Sequence, residues 1–215
     1  MNLFPPTMVD RNGARTKLVL RQTPGVRLAP RHAAGKKRVA VAVKLSESHP
    51  MIYAYKIVPS PVGNLELVAR GNCLTAILWE KDNPARVRLG ERLESANHPV
   101  LMETERQLGE YFAGKRTVFT VSLDMAGTGF QKKVWDALLA IPFGQTRTYA
   151  DIARQIGNPK AYRAMGAANG RNPVSIIVPC HRAIGSDGQL HGFAGGLDAK
   201  RYLLALESSR LNAAA

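Results

Sequence analysis

The sequence predicts an α+β fold in which a β-rich block precedes a helical block. Strand-like patterns with a hairpin signal occupy residues 53–79, and three capped helical patterns follow between residues 128 and 169. The chain has 215 residues, of which 45% are hydrophobic and 21% charged. These values are ordinary for a globular protein that buries a sizeable core, so wholesale disorder is excluded.

In the β-rich block, the predicted helix has an apolar face and stops at Gly114, and Cys73 is interpreted as a small core residue inside a strand. The strands at 65–69 and 74–79 flank Arg70-Gly71-Asn72, which is a hairpin signal. The predicted elements of this block are strands at Tyr53–Val58, 65–69, 74–79 and 118–123, and a helix at 98–112.

The helical block begins with two capping-box signals. Thr128 and Gln131 have the spacing of the first, and apolar residues repeat at helical intervals from there until Pro142 stops the helix after residue 141. Thr148 and Asp151 have the spacing of the second, which predicts a short helix through residue 156 that ends at Gly157.

A third helix is predicted over residues 159–169, with Asn158 as its N-cap and Pro159 at its first position. With the preceding short helix it forms a helix-turn-helix candidate. Small side chains make this helix smooth, while Lys160, Tyr162 and Arg163 protrude. Close packing against the protein core and approach to a nucleic-acid groove both explain that smoothness, and most such helix pairs bind nothing, so both interpretations stay open.

The net charge of +14 and the pI near 10.2 favour a polyanionic partner, either nucleic acid or an anionic membrane surface. Residues 1–50 hold ten Lys and Arg against two Asp and Glu, five prolines and one aromatic residue. We therefore expect them to form a basic, disordered extension. It either contacts phosphates non-specifically or is a solvated segment without a role of its own.

Several protein classes are excluded by what the sequence lacks. No apolar run approaches the ~18 residues of a membrane span, and the first residues lack the continuous apolar stretch of a secretory signal. Two cysteines, Cys73 and Cys180, allow one disulfide at most, and their spacing does not suggest a zinc site. We expect a cytoplasmic protein with reduced thiols and with no metal, cofactor or membrane partner.

Pro179-Cys180-His181-Arg182 is the strongest local signal for chemistry, and it follows a strand-like apolar run at residues 174–178. A thiol is a poor nucleophile until it loses its proton, and the neighbouring His181 and Arg182 are residue types that favour the thiolate. A cysteine beside a histidine is nevertheless more often structural, so this pair alone does not decide between the two roles.

The wider series of motifs decides the question. In one order the chain carries Gly129-Phe130-Gln131, Ile141-Pro142-Phe143-Gly144, Tyr149 with Ile152-Ala153, Arg163-Ala164-Met165-Gly166, Asn172-Pro173, Pro179-Cys180-His181-Arg182, and Gly195-Gly196-Leu197 followed by Lys200 and Glu207. This series closely resembles the O6-alkylguanine-DNA alkyltransferases, tightly over residues 128–207, more loosely over 51–123 and not over 1–50. The long basic extension is not part of the family pattern.

The resemblance implies a ribonuclease H-like sheet-and-helix domain at 51–123 and a winged-helix-like domain at 124–209. It implies a methylated-DNA–protein-cysteine S-methyltransferase, which reverses damage directly by moving methyl or small alkyl groups from O6-alkylguanine, and from O4-alkylthymine, in double-stranded DNA to Cys180. Because a thioether does not readily revert, one protein acts once. We expect a monomer, with cooperative assembly on DNA left open. The alternative is a catalytically silent helix-turn-helix protein that binds lesions or regulates transcription.

The resemblance also assigns catalytic roles. His181, backed by Glu207, would take the proton of Cys180 through a water molecule, Asn172 would orient this network, and Tyr149 would protonate the leaving guanine. Without the resemblance, the structural interpretation of each residue is favoured, with Tyr149 as a core aromatic residue, Glu207 as a surface carboxylate and Asn172 as a turn residue.

The expected DNA contacts centre on Arg163, which would fill the gap left by a flipped nucleotide as the helix-turn-helix enters the minor groove. The other expected DNA contacts are Lys160, Tyr162, Arg171 and Arg182. The expected substrate pocket comprises Val178, Pro179, Ala183, Phe193 and Ala194. Phe193 stands where the family often has tyrosine, and Ala194 stands where some members have serine, which leaves the preferred alkyl size open.

Overall fold

The computed structural model describes residues 52–214 and, before them, only Met8–Val9 (β1) and Arg15–Thr16 (β2), which pair as antiparallel strands. The expected disordered extension at 1–50 otherwise lies outside the described residues. The chain divides into two compact units, Met1–Ser46 and Glu47–Ala215. The four-stranded sheet, the helices and the candidate site lie in the second unit.

A four-stranded sheet forms the N-terminal part of this second unit. Its strands are β3 (Tyr53–Val58), β4 (Leu65–Arg70), β5 (Cys73–Trp79) and β6 (Arg92–Glu94), in the order β5-β4-β3-β6. β4 pairs antiparallel with β3 and with β5, and β3 pairs parallel with β6. The predicted hairpin is confirmed, because Gly71 adopts a positive φ of 54° in the turn between β4 and β5. Cys73 is half-buried at the start of β5 rather than in the core.

Helix α1 (Pro99–Phe112) packs on this sheet through buried Leu101 and Leu108. It ends in a Schellman turn, since Gly114 takes a φ of 70° and donates its N–H to the Tyr111 carbonyl. The strand predicted at 118–123 is wrong. That segment touches the edge of β5 at the single bridge of Leu123 with Leu74, so it does not build a ladder.

The C-terminal part is helical. Its elements are α2 (Gly129–Leu139), β7 (Arg147–Thr148), α3 (Tyr149–Gln155), α4 (Tyr162–Gly170), a 3₁₀ turn (Cys180–Arg182), β8 (Ala183–Ile184) and α5 (Gly196–Ala214). Both predicted capping boxes are present, at Thr128 with Gln131 and at Thr148 with Asp151. β7 and β8 pair in parallel beside the helices. Among the described residues, no helix combines the length and the apolarity that crossing a bilayer requires.

The third helix begins later than the sequence predicts, and Asn158 is not its N-cap. Asn158 instead closes α3 in a Schellman turn, in which its N–H bonds the Ala153 carbonyl at 2.9 Å while Gly157 takes a φ of 74°. A β-turn from Asn158 to Ala161 follows, and α4 starts only at Tyr162.

The small side chains of α4 lie on two faces with different surroundings. Ala168 and Met165 are buried, and the Ala168 carbonyl accepts a 3.0 Å hydrogen bond from the Trp135 indole of α2. Ala164 and Ala167 face solvent on the other side of the helix. One face therefore packs on the core while the opposite face is free to approach a second surface.

Candidate active site

The apolar run at 174–178 forms a tight turn, so the strand-like segment predicted there is wrong. Val178 N–H bonds the Val174 carbonyl at 2.9 Å, and Val174 contributes only an isolated bridge to Ile77 of β5. Ile176 is completely buried with a φ of 76°, a conformation that strains a β-branched residue. The turn ends directly before Cys180.

Asn172 holds the two ends of this turn together. Its buried side-chain amide donates to the Val178 carbonyl at 2.8 Å, and its side-chain oxygen accepts from the Val174 N–H at 3.0 Å. The Val178 carbonyl also accepts from the Cys180 N–H at 2.8 Å. Asn172 thus fixes the backbone that leads into Cys180.

Cys180 starts the 3₁₀ turn and is only 3% exposed. Burial raises the pKa of its thiol, because a buried sulfur ionises at the cost of its hydration. The nearby polar side chains of Asn172 and Ser175 and the positive charges of Arg86 and Lys200 favour ionisation of the thiol but do not offset the effect of burial on its pKa. The resting sulfur is therefore a thiol that needs a base.

The adjacent His181 is the candidate base. Its Nε2 lies 2.8 Å from Oε1 of Glu207, and neither side chain is exposed. Burial lowers the pKa of His181 in spite of the neighbouring carboxylate, so the ring is neutral at pH 7. We assign the ring proton to Nε2, as a donor to Glu207. Nδ1 has no hydrogen-bond partner in the described part of the chain and is left as the proton acceptor.

Glu207 is interior, which rules out its interpretation as a surface carboxylate. Besides His181, its oxygens accept from the Tyr111 hydroxyl at 2.7 Å, the Gly144 N–H at 2.9 Å and the Arg182 guanidinium at 2.9 and 3.0 Å. Burial would raise the pKa of Glu207, but the hydrogen bonds from His181 and Arg182 lower it to about 2. The carboxylate therefore stays ionised.

Arg182 is buried, so its expected contact with DNA is wrong. It is 6% exposed, and besides Glu207 it donates to the Ile141 carbonyl at 2.6 Å. A guanidinium committed to these interior acceptors cannot also reach a phosphate. Arg182 instead balances the charge of Glu207.

An open cleft of about 760 Å³ has Tyr149, Phe193 and Ala194 among its lining residues. The Tyr149 hydroxyl donates to the His191 carbonyl at 3.3 Å, and burial raises the pKa of the phenol to about 12, so it keeps its proton. The other expected pocket residues do not line this cleft. Val178 and Ala183 are completely buried, and Pro179 faces a different cavity.

The remaining expected DNA contacts form an exposed basic surface beside the cleft. Lys160 lies in the turn before α4, Tyr162 and Arg163 lie in its first turn, and Arg171 follows its end and also lines the cleft. The guanidinium of Arg163 stacks 5.7 Å from the centre of the Tyr162 ring. These cations are therefore placed where a nucleic acid over the cleft would meet them.

Two buried cations close to the thiol were not predicted as site residues. Arg86 donates to the Ile77 carbonyl at 2.8 Å and to the Asn172 carbonyl, and it pairs with Asp82. It belongs to a segment without a recognisable motif. Lys200 belongs to the motif series but had no predicted role.

Lys200 links His191, which lines the cleft, to Ala183, which follows the 3₁₀ turn of Cys180. Its ammonium donates to the Ala183 carbonyl at 2.7 Å and to the His191 carbonyl at 2.9 Å. Burial lowers the pKa of this ammonium to about 8. Within the described residues, no cluster of His, Cys, Asp and Glu side chains is arranged to hold a metal ion.

Most of the chain matches the models of one protein family. Residues 129–209 match the model of the 6-O-methylguanine DNA methyltransferase DNA-binding domain, and residues 52–125 match that of the ribonuclease-like domain of the same family. The chain is 48% identical over 158 residues to the methylated-DNA–protein-cysteine methyltransferase of Mycobacterium tuberculosis H37Rv, covering 73% of this chain and 93% of the relative. It is 47% identical over 157 residues to that of Methanosarcina barkeri, covering 73% and 98%.

A crystal structure of Mycobacterium tuberculosis OGT in complex with DNA superposes with a TM-score of 0.68 at 46% identity, covering 73% of this chain and 94% of that chain. The ribonuclease-like and DNA-binding matches, together with this superposition, confirm the α+β fold class, with a sheet domain ahead of a helical DNA-binding domain.

Proposed function

The chain belongs to the 6-O-methylguanine-DNA methyltransferase family, and we propose that Cys180 is the thiol that receives the alkyl group. The protein repairs DNA by direct reversal of damage, as a methylated-DNA–protein-cysteine methyltransferase, and its partner is double-stranded DNA that contains O6-alkylguanine. The observation that carries the assignment of Cys180 is its position beside the buried His181–Glu207 pair, 2.8 Å apart.

The proposed reaction needs no group beyond the protein, water and substrate. The Cys180 proton passes through a water molecule to Nδ1 of His181, and Glu207 stabilises the resulting imidazolium. The sulfur attacks the alkyl carbon in line with the carbon–oxygen bond, whose electron pair leaves with guanine O6. Tyr149 gives its proton to the guanine ring, so that a neutral base departs and a thioether remains on Cys180.

The burial of Cys180 requires that the damaged base leave the helix. A sulfur that is 3% exposed cannot meet O6 in line while the base is stacked in duplex DNA. We propose that the flipped nucleotide enters the cleft beside Tyr149 and Phe193, and that Arg163 fills the gap it leaves. The exposed position of Arg163 at the start of α4 supports this role.

The alternative of a catalytically silent DNA-binding protein is not favoured. Such a protein needs an exposed basic surface. DNA binding alone does not require a neutral imidazole that is aligned by a buried carboxylate next to a thiol. Burying three ionisable groups together is costly unless they are mutually satisfied, and here they are arranged for proton transfer.

The proposal includes a cytoplasmic location. Both cysteines of the described chain, Cys73 and Cys180, are free, and the proposed reaction requires the Cys180 thiol to stay reduced. A reducing compartment provides that condition. Localising a tagged full-length chain by fractionation tests this part, and recovery outside the cytoplasm would contradict it.

Intact mass measurement tests the proposed acceptor. After mixing with a duplex that carries O6-methylguanine, the wild-type protein should gain one methyl group and no more, and peptide mapping should place it on Cys180. Cys180→Ser should gain nothing and still bind the duplex, while Cys73→Ser, the matched control, should react like the wild type. Transfer to Cys180→Ser, or methylation mapped to Cys73, would overturn the assignment.

A further inference from the structure

The part of the cleft wall that Phe193 forms is supported from the protein interior by Trp79 of β5. Phe193 lines the cleft, and its ring centre lies 5.2 Å from that of the Trp79 indole, with the two planes at 68°. Such an edge-to-face arrangement is a favoured geometry of an aromatic pair. Trp79 is only 6% exposed, so its indole fills the space behind Phe193.

Phe193 is also a neighbour of the proposed base. Its ring centre lies 6.3 Å from that of His181, with the planes at 80°. One aromatic side chain therefore adjoins the buried indole, the cleft and the imidazole that follows Cys180 in the chain. A shift of the Phe193 ring changes the width of the cleft next to the proposed base.

Gly195 shows how closely the indole approaches this segment. A Cβ atom at Gly195 would overlap the six-membered ring of the Trp79 indole. The φ of Gly195 lies outside the left-handed region, so its backbone conformation does not itself require glycine. The close approach of Trp79 is what excludes a side chain at this position.

The turn after β5 holds the backbone of Trp79 in place. The Trp79 N–H donates to a carboxylate oxygen of Asp82 at 3.2 Å, and the Asp82 N–H donates to the Trp79 carbonyl at 3.0 Å. Asp82 is paired in turn with Arg86, which donates to the Ile77 carbonyl at 2.8 Å. The indole is therefore a fixed support and not a mobile side chain.

We propose that Trp79 is a positioning residue that sets the width of the cleft through Phe193, and thereby the size of the alkyl group that Cys180 accepts. This inference rests on the proposed function of Cys180 and of the cleft. Trp79 acts by stopping the Phe193 ring from retreating into the interior. Close-packed interiors transmit such constraints, because their side chains have little free space to move into. A residue of the four-stranded sheet thus controls the selectivity of a thiol in the helical part.

The experiment changes this support in two opposite ways. Trp79→Leu and Trp79→Phe remove all or part of the aromatic bulk behind Phe193. Gly195→Ala adds the carbon that overlaps the indole, and the double variant that combines it with Trp79→Phe gives that carbon space, because phenylalanine lacks the overlapped ring. Leu101→Ala, which removes core volume on α1, is the control for lost stability.

The measured quantity is the ratio of two single-turnover rates, one with a duplex that carries O6-benzylguanine and one with a duplex that carries O6-methylguanine. Duplex affinity and thermal unfolding are measured for each variant. A loss of stability or of DNA binding affects both rates alike, so it does not change the ratio. A change in the width of the cleft does, because the two substrates differ only in the size of the alkyl group.

We expect Trp79→Leu to raise the benzyl-to-methyl ratio by roughly threefold or more, since even one methylene in an apolar pocket changes discrimination by about ten- to 200-fold. Trp79→Phe should have an intermediate effect. Gly195→Ala should lower the ratio, because the added carbon forces the segment off the indole and toward the cleft. The same substitution in the Trp79→Phe background should have little effect, and Leu101→Ala should keep the wild-type ratio.

Two results would overturn the role of Trp79. One is a wild-type ratio in the variants of Trp79 and in Gly195→Ala. The other is an effect of Gly195→Ala that is the same with and without the indole, a comparison that does not depend on the folding of Trp79→Leu. Absence of transfer from either duplex to the wild-type protein would instead overturn the proposed function itself.

Discussion

His181 Nε2 lies 2.8 Å from Glu207 Oε1 in an interior that solvent does not reach. The same carboxylate also accepts from Tyr111 of α1, from the backbone after α2 and from Arg182. Glu207 therefore has two roles at once. In the proposed reaction it sets the protonation state of the base that acts on Cys180, and in the fold it joins elements that are far apart in the chain.

Glu207→Gln tests both roles. The substitution keeps the size of the side chain but leaves Arg182 buried without its counter-ion, so we expect the free energy of unfolding to fall by about 3–5 kcal/mol. Transfer should slow by roughly 10²-fold or more, because His181 loses the charge that stabilises its protonated form. Urea unfolding and single-turnover rates measure the two effects. Glu103→Gln on the exposed face of α1 is the control, and equal stability of the two variants would contradict the prediction.

Acid should destabilise the protein in two stages. The pKa of His181 is lower in the folded than in the unfolded chain, so from about pH 6.5 downward the unfolded state takes up a proton that folded His181 does not. The pKa of Glu207 is lowered to about 2, so its contribution is complete above its ordinary value and disappears as pH falls toward 2.

The second stage is checked by urea unfolding at a series of pH values. The wild type is compared with Glu207→Gln. Other carboxylates titrate in both proteins, so the difference between the two is the informative quantity. We expect that difference in unfolding free energy to narrow between about pH 4.5 and pH 2. A constant difference over this interval would mean that Glu207 titrates normally in the folded protein.

Arg163→Ala should weaken repair of duplex DNA more than reaction with free O6-benzylguanine. Arg163 is proposed to stabilise a flipped nucleotide, and a free base has no stack to leave. Since unstacking costs a few kcal/mol, the loss on duplex DNA should be roughly tenfold or more. Single-turnover rates on the two substrates give the comparison, with Arg201→Ala on exposed α5 as the control. Equal losses on both substrates would assign Arg163 to the fold or the pocket.

Deletion of residues 1–50 should flatten the salt dependence of DNA binding without changing transfer at saturating DNA. Residues 1–50 carry more than half of the net charge of +14. Each phosphate contact that is lost should reduce the slope of log affinity against log salt by about 0.9. Binding titrations over a salt series, with the full-length chain alongside, provide the test. An unchanged slope would show that the segment does not contact DNA.

Local capping signals predicted much of the helical part. Thr128 and Thr148 mark helix starts because a capping box depends only on residues three apart. Asn158 misled the prediction because its backbone closes the preceding helix, and one residue cannot end one helix and cap the next in this geometry. The turn at 174–178 was mistaken for a strand because apolar composition does not reveal the positive φ of Ile176.

The motif series indicates which residues form the candidate site, but the sequence does not reveal the contacts among them. Neither charge nor spacing shows that Glu207 is buried, because its partner Tyr111 lies 96 residues earlier in the chain. The same holds for Arg182, which resembles a DNA contact in sequence and is an interior counter-ion in the fold.

The hydrogen bond between Tyr111 and Glu207 joins the two segments that match family models. These segments, 52–125 and 129–209, are separated by the three exposed residues 126–128. A chain cut there would leave Tyr111 on one fragment and Cys180, His181 and Glu207 on the other. A thioether does not readily revert. Any transfer that depended on the Tyr111 contact would therefore leave a permanent record that the two fragments had met.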